Sequence, residues 1–175
     1  MERLFVLELI AEIRERIGRS APERGSAFSG QALRLVADRE LAGAAGSRLF
    51  PGVKEMFGEF RRRGTKTGIL TRNCLVAITA VFPDIGEHCD TVVTRDDTPR
   101  VKPHPDHIRV VLERLKADPL RSAMVGDHPM DIVVGKAIGA FAVGVLTGYS
   151  NREDLEGAGA DLILERAADI TGHLE

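Results

Sequence analysis

The stretch that decides the fold reads Ser122-Ala123-Met124-Val125-Gly126-Asp127-His128-Pro129-Met130-Asp131. Its apolar residues predict a short buried strand, its glycine permits a turn, and the residues that follow predict a helix. Ligands of an open parallel sheet bind at the carboxyl ends of the strands, so Asp127 and Asp131 are expected to face a crevice. A pair of carboxylates there suits Mg²⁺. Alternatively, both acids only stabilise the start of the helix, where negative charge is favoured.

The composition narrows the class of protein. Hydrophobic residues make up 43% and charged residues 29% of the 175 residues, as in ordinary globular proteins. The 24 Lys+Arg nearly balance the 26 Asp+Glu, which argues against a nucleic-acid partner. Cys74 and Cys89 have neither metal spacing nor a disulfide framework, so a cytoplasmic location is expected. No stretch reaches the roughly 20 apolar residues needed to cross a bilayer, so no membrane association is expected.

Two helical patterns precede the first strand. Apolar residues at helical spacing predict a helix over residues 4–17, and a second amphipathic pattern uses apolar residues between 33 and 44. The residues between them, 20–26, have the composition of a loop. Residues 1–48 are therefore predicted to form a small helical appendage, and residues 49–175 the core of the protein.

Strand and helix patterns alternate through that core. Strands are predicted at residues 67–71, 91–94, 123–125, 141–145 and 161–164, and helices at 53–64, from about 75, at 105–115 and at 130–138. This alternation predicts an α/β fold, with a parallel sheet and helices on both of its faces.

Polar residues that could hold a phosphoryl group follow the predicted strands. Thr71, Arg72 and Asn73 lie where a strand passes into a helix, a place where side chains and backbone N–H groups bind phosphate oxygens. The alternative is a simple helix cap. The backbone at Lys102 is restricted, because prolines follow it at positions 103 and 105. Its side chain offers a point positive charge to a phosphoryl group. Mg²⁺ at the two aspartates would neutralise the same group.

The ordered set of these motifs resembles the haloacid dehalogenase (HAD) superfamily. The segments are Gly68-Ile69-Leu70-Thr71-Arg72-Asn73, Val93-Thr94-Arg95-Asp96-Asp97, Lys102-Pro103-His104-Pro105, and Val125-Gly126-Asp127 with Asp131. The set is most similar to the phosphoglycolate phosphatase-like branch with a small helical cap, and the resemblance covers residues 50 to about 164.

The resemblance implies a Rossmann-like core and a Mg²⁺-dependent phosphatase that acts on a small phosphorylated metabolite. It implies that Thr71 and Asn73, with Arg72 between them, bind the substrate. Lys102 would orient the phosphoryl group and stabilise the nucleophile. Asp127 would ligate Mg²⁺, and Asp131 would support the metal through a water or as a further ligand.

One departure from the family pattern bears on activity. The family's first motif, a strand ending in Asp-x-Asp-Gly-Thr, does not occur, and the first aspartate in the chain is Asp38. One explanation is that the chain begins after this strand, since residues 10–14 look like the start of the family's cap. The other is that residues 3–9 form a degenerate first strand with Glu8 near the place of the nucleophile. The helical spacing of the apolar residues favours the first explanation.

The sequence is therefore compatible with two functions. The chain is a phosphatase, impaired if its nucleophile is missing, or it is an inactive remnant that binds phosphate or a partner protein. A missing central strand would expose backbone groups and apolar surface, which predicts low stability or pairing with another chain, including a second copy in a homo-oligomer. No third ligand lies at helical spacing from His104 and His107, so surface or supporting roles are expected for the histidines instead of a zinc site. His128, next to Asp127, is expected to line the crevice.

Overall fold

The computed structural model describes residues 5–173. In this range the α-helices are α1 (Val6–Gly18), α2 (Pro22–Ala44), α3 (Val53–Arg62), α4 (Leu75–Val81), α5 (Ile85–His88), α6 (Pro105–Leu115), α7 (Pro129–Ala137) and α8 (Arg152–Gly157). The strands are β1 (Gly68–Leu70), β2 (Thr91–Val93), β3 (Ala123–Gly126), β4 (Phe141–Val145) and β5 (Leu162–Leu164). Short 3-10 helices occupy Arg95–Asp97, Pro119–Arg121 and Ala167–His173. None of the helices described combines the length and the apolar character needed to span a membrane.

The α/β alternation predicted from the sequence is confirmed, and all pairs of neighbouring strands are parallel. Side chains alternate between the two faces of the β3–β4–β5 ladder. Val143 and Val145 pack with Phe57 of α3 on one face. On the other face, Ala142 packs with Ile132 of α7 and Leu155 of α8. Helices therefore cover both faces of the ladder, which explains why β4 is almost wholly apolar and buried.

The strands form two separate ladders in the described part of the chain, one of β1 and β2 and the other of β3, β4 and β5. β1 and β3 are nevertheless neighbours, since Leu70 and Met124 pack in one apolar cluster. None of the three residues of β1 is buried, whereas four of the five residues of β4 are. We call the space between the unpaired edges of β1 and β3 the strand gap.

The helical hairpin of α1 and α2 differs from the sequence prediction at its turn. Residues 20–26 were expected to be a loop, but α2 already begins at Pro22. Proline suits the first position of a helix because its φ is preset and its missing N–H has no helical partner there. Gly25 lies inside the helix where α1 comes close, since a Cβ at this position would lie 2.7 Å from the Arg14 carbonyl oxygen. Leu4, where the first helix was expected to begin, lies outside the described residues.

Nothing in the fold tests the division of the chain into residues 1–48 and 49–175, which stays a prediction. The hairpin packs on the remainder through α2 and α4, where Ala44 contacts Cys74 and Ala77 in a small buried cluster. Helices α5 and α8 have four and six residues, and no periodic pattern can be read over so short a span, so the sequence did not predict them.

Candidate functional site

Lys102 lies at the centre of the polar residues that follow β1 and β3. Its Nζ donates to the Leu70 carbonyl oxygen (3.1 Å) at the end of β1 and to Asp131 Oδ1 (2.6 Å) in α7. Only 8% of the residue is exposed. Because its partners belong to segments on either side of the strand gap, the ammonium group is fixed at the carboxyl end of that gap.

His107 holds the backbone of the segment that carries Lys102. The Lys102 N–H donates to His107 Nδ1 (3.1 Å), and His107 Nε2 lies 3.1 Å from the Thr94 carbonyl oxygen, to which it donates in the matching tautomer. Burial lowers the pKa of His107 to about 4, assisted by the positive charges of Lys102 and Arg72 and opposed by the bond to Thr94. The imidazole is therefore neutral at pH 7 and connects the segments after β2 and before α6.

Asp131 is bound by protein groups on both sides of its carboxylate. Oδ1 accepts from Lys102, and Oδ2 accepts from the His128 backbone N–H (3.2 Å) in a capping box at the start of α7. A Cβ at Gly126 would overlap this carboxylate, so the glycine is needed to admit it. Each of the two oxygens accepts one hydrogen bond and keeps a further lone pair for a water or a metal ion. The metal role predicted for Asp131 remains a prediction.

Asp127 is the less constrained of the two carboxylates. It is half-buried, and its Oδ2 accepts from the Tyr149 backbone N–H (3.3 Å). Gly148 lies against it so closely that a Cβ there would overlap the carboxylate. Oδ1 accepts no hydrogen bond from residues 5–173 and is a suitable ligand atom for Mg²⁺. Over the same range, however, no three His, Cys, Asp or Glu residues come together as a metal site, so the fit to Mg²⁺ is partial.

We call the carboxyl end of the strand gap, around Lys102, the rim. The segment after β1 also lies at this rim. Thr71 Oγ1 accepts from the Asn73 N–H (3.1 Å), which leaves the hydroxyl proton of Thr71 available to a ligand. Arg72 Nη1 donates to the Lys102 carbonyl oxygen (2.9 Å). The Cys74 N–H, at the start of α4, donates to Glu40 (3.0 Å) and is not free for a phosphate. The structure thus brings Thr71, Arg72 and Lys102 together, with Asn73 exposed beside them.

Two carboxylates of the helical hairpin, Glu8 and Glu40, reach this rim. The sequence suggested Glu8 only as a strand residue near the place of the nucleophile, and it gave no indication of Glu40. Glu8 Oε2 accepts from Arg72 Nη2 (2.8 Å). Glu40 pairs with the buried Arg95, whose Nη1 also donates to the Arg72 carbonyl oxygen (3.2 Å). Arg72 and Arg95 each follow a strand. No periodic spacing relates them to the acids of the hairpin, so no sequence pattern predicts these ion pairs.

The position of Glu8 bears on its suggested role as a replacement nucleophile. Residues 6–9 are helical, so the degenerate first strand proposed for residues 3–9 is wrong over that part, and Arg3 and Leu4 lie outside the described residues. Glu8 Oε1 is buried without a hydrogen-bond partner in the described part of the chain. An unsatisfied buried acceptor typically costs about 1–3 kcal/mol.

Phe5 completes the rim by bridging the segments after β1 and β3. The guanidinium carbon of Arg72 lies 5.0 Å from the centroid of its ring, a cation–π arrangement. The ring of His128 packs edge-on against the Phe5 ring, with 5.7 Å between the two centroids. The start of α1 therefore sits across the carboxyl end of the strand gap.

Fold and motif order together define a class of protein. The chain matches the family model of haloacid dehalogenase-like hydrolases over residues 3–139, and it belongs to this family. The resemblance seen in the sequence is thereby confirmed.

Individual relatives agree with this assignment. The chain is 34% identical over 120 residues to pyrophosphatase PpaX of Bacillus velezensis, a match that covers 67% of this chain and 56% of the relative. It is 31% identical over 142 residues to phosphoglycolate phosphatase of Escherichia coli, covering 79% of this chain and 56% of that enzyme. The chain spans about half the length of these curated relatives.

Solved structures support the fold. CbbY of Rhodobacter sphaeroides superposes with a TM-score of 0.71 at 24% identity, over 95% of this chain and 75% of that one. A hydrolase from Pseudomonas syringae gives a TM-score of 0.67 at 24% identity, over 87% of this chain and 69% of that one. The α/β class with a Rossmann-like HAD core is therefore confirmed.

Proposed function

We propose that this chain is the phosphate-binding part of a HAD-type phosphomonoester hydrolase that acts on a small phosphorylated metabolite. The observation that carries the proposal is the fixed ammonium group of Lys102, held between the end of β1 and the start of α7. The relatives named as a phosphoglycolate phosphatase and a pyrophosphatase support this substrate class. Cys74 and Cys89 are free and buried, which suits a cytoplasmic protein.

Each residue at the rim has a proposed role in holding the phosphoryl group. Lys102 orients it and balances its negative charge, and Thr71 donates its hydroxyl proton to one of its oxygens. Arg72 and Asn73 supply further donors on the same side. Positioning and charge stabilisation of this kind are the main contributions a protein makes to phosphoryl transfer.

Hydrolysis through an aspartyl-phosphate also needs a carboxylate placed to attack phosphorus. The sequence contains no Asp-x-Asp, and one oxygen of Glu8 is engaged by Arg72. We therefore propose that the chain binds phosphate but turns substrate over slowly.

Mg²⁺ is proposed as the cofactor, with Asp127 as its protein ligand and Asp131 in support. When bound, the ion would neutralise charge on the phosphoryl oxygens. Mg²⁺ at phosphate sites commonly takes one or two carboxylates and fills its other positions with phosphate oxygens and waters. With Asp127 Oδ1 as the proposed ligand atom, the ion is expected to bind together with phosphate and weakly without it.

Calorimetric titration of inorganic phosphate, with and without Mg²⁺, tests the proposal. The wild-type chain should bind phosphate, and Mg²⁺ should tighten binding. Asp127→Asn should bind phosphate without responding to Mg²⁺, and Thr71→Val should bind it more weakly. A parallel assay of p-nitrophenyl phosphate hydrolysis measures turnover. A folded wild-type chain that shows neither phosphate binding nor hydrolysis would contradict the proposal.

The strand gap favours a second function, in which the chain binds a partner segment as an added strand. Backbone groups alternate in direction along a strand, and those of Ala123 and Val125 point away from β4, towards the gap. Unpaired strand edges are templates for another chain, and a second copy of this chain is the partner we propose. Sedimentation equilibrium should then show a dimer, and amide exchange at Ala123 and Val125 should slow as protein concentration rises. A monomer at all concentrations would exclude this function.

A further inference from the structure

The two edges of the Arg72 guanidinium face different parts of the molecule. Nη1 is held by the Lys102 carbonyl oxygen (2.9 Å), which belongs to the core. Nη2 is held by the Glu8 carboxylate (2.8 Å), which belongs to α1. Guanidinium groups bind carboxylate and phosphate oxygens with the same donor geometry. Glu8 therefore occupies a donor that an oxyanion at the rim would use.

The attachment of Glu8 has two features that make it displaceable. Its Oε1 is buried without a hydrogen-bond partner in the described range, so only one of its two oxygens is satisfied by the pairing. In addition, α1 packs mainly on α2, and its first turn reaches the rim through Phe5 and Glu8. Opening this turn would release the buried oxygen to solvent and leave the contact between α1 and α2 in place.

We propose that Glu8 is a resident anion on Arg72, and that an oxyanion of the ligand displaces it and opens the first turn of α1 from the rim. The inference rests on the proposed function, because it takes the rim around Lys102 as the ligand site. A competitor inside the protein reduces the apparent affinity in proportion to the fraction of molecules in which Arg72 is free. Removing the charge of Glu8 should therefore strengthen binding.

A titration of inorganic phosphate into matched variants tests this inference. Glu8→Gln keeps the size of the side chain and removes its charge, and it should bind phosphate at least about fivefold more tightly than wild type if Glu8 holds Arg72 in most molecules. Glu12→Gln is the control, because Glu12 lies one turn further along α1 and pairs with the exposed Arg16. It should bind phosphate like the wild type.

A double variant shows whether the effect passes through Arg72. In the Arg72→Gln background, adding Glu8→Gln should leave phosphate affinity unchanged. Hydrogen exchange gives a second readout, since phosphate should speed exchange at the amides of Leu9 and Ile10 in the wild type. A parallel titration with acetate shows whether a carboxylate alone displaces Glu8 or whether the phosphoryl group is required.

The outcomes separate the two proposals. If the wild type binds phosphate and Glu8→Gln binds it equally well or more weakly, the inference fails and the proposed function stands. A fall in the melting temperature of Glu8→Gln with unchanged phosphate affinity would mean that Glu8 only fastens α1, which also overturns the inference. If neither protein binds phosphate, both proposals fail. Glu8→Ala serves as a second variant if Glu8→Gln does not fold.

Discussion

Lys102 Nζ and Asp131 Oδ1 lie 2.6 Å apart, and their side chains are only 10% and 6% exposed. Taking two charges out of water is costly, and here each charge is compensated by the other and by further hydrogen bonds. The pair therefore joins the segments on the two sides of the strand gap, and it does so only while both members are present.

Removing one member of this pair should destabilise the fold strongly. Asp131→Asn should lower the free energy of unfolding by about 3–5 kcal/mol, because it leaves the Lys102 ammonium buried without its counter-charge. The double variant with Lys102→Met should regain part of that loss. Urea unfolding measures both. The exposed pair of Arg16 and Glu12 is the control, and breaking it should change stability by less than about 1 kcal/mol. Equal losses at the two pairs would contradict this account.

Gly126 should also be sensitive to substitution, for a steric reason. A Cβ at this position would overlap the Asp131 carboxylate, so Gly126→Ala should force it away from Lys102 and His128 and cost about 2–3 kcal/mol. Gly58→Ala provides the contrast. Gly58 lies in α3 with no atom within 4 Å of an added Cβ, so alanine should stabilise the helix by about 0.5–1 kcal/mol. Thermal unfolding of the two variants should shift in opposite directions.

His107 should make stability depend on pH. Burial holds its pKa at about 4, below the ordinary value of 6.5, so the unfolded chain binds a proton more readily than the folded protein. The stability that follows from the neutral imidazole is complete above pH 6.5 and is lost as pH falls from there through about 4. The loss is at most about 3 kcal/mol.

Urea unfolding at pH 4.5, 5.5 and 7 measures this loss. His107→Gln should be less stable than wild type at pH 7 but should lose less stability on acidification. His173→Gln, at the end of the last 3-10 helix, should keep the wild-type pH dependence. A wild-type stability that does not change between pH 7 and 4.5 would contradict the buried neutral imidazole.

The sequence predicted the five strands because each combines apolar residues with a turn signal, and this local pattern survives in the fold. It also predicted that Thr71, Lys102 and Asp127 follow strands, and parallel strands bring such positions to one edge. Their roles in binding substrate and metal remain predictions.

What the sequence could not predict depends on tertiary contacts. Residues 20–26 have the composition of a loop, yet α2 starts at Pro22, and Gly25 in its first turns admits the close approach of α1. No sequence pattern predicts that His107 accepts a hydrogen bond from the Lys102 backbone N–H, since this bond depends on how the segment before α6 turns. The pairing of Glu8 with Arg72 spans 64 residues and follows from where the hairpin docks.

Glu40 should be the residue that fastens α2 to the core. It pairs with Arg95, whose side chain is only 5% exposed, and accepts from the Cys74 N–H at the start of α4. Glu40→Gln should leave the buried Arg95 charge with weaker partners, the Arg72 carbonyl oxygen and the exposed Asp96 carboxylate, and lower the free energy of unfolding by about 3 kcal/mol. Amide exchange at Cys74 should accelerate in the same variant. Asp38→Asn, on an exposed position of the same helix, should change stability by less than about 0.5 kcal/mol. Equal exchange rates at Cys74 in both variants would mean that apolar packing of α2 on α4, and not the Glu40 carboxylate, holds the hairpin to the core.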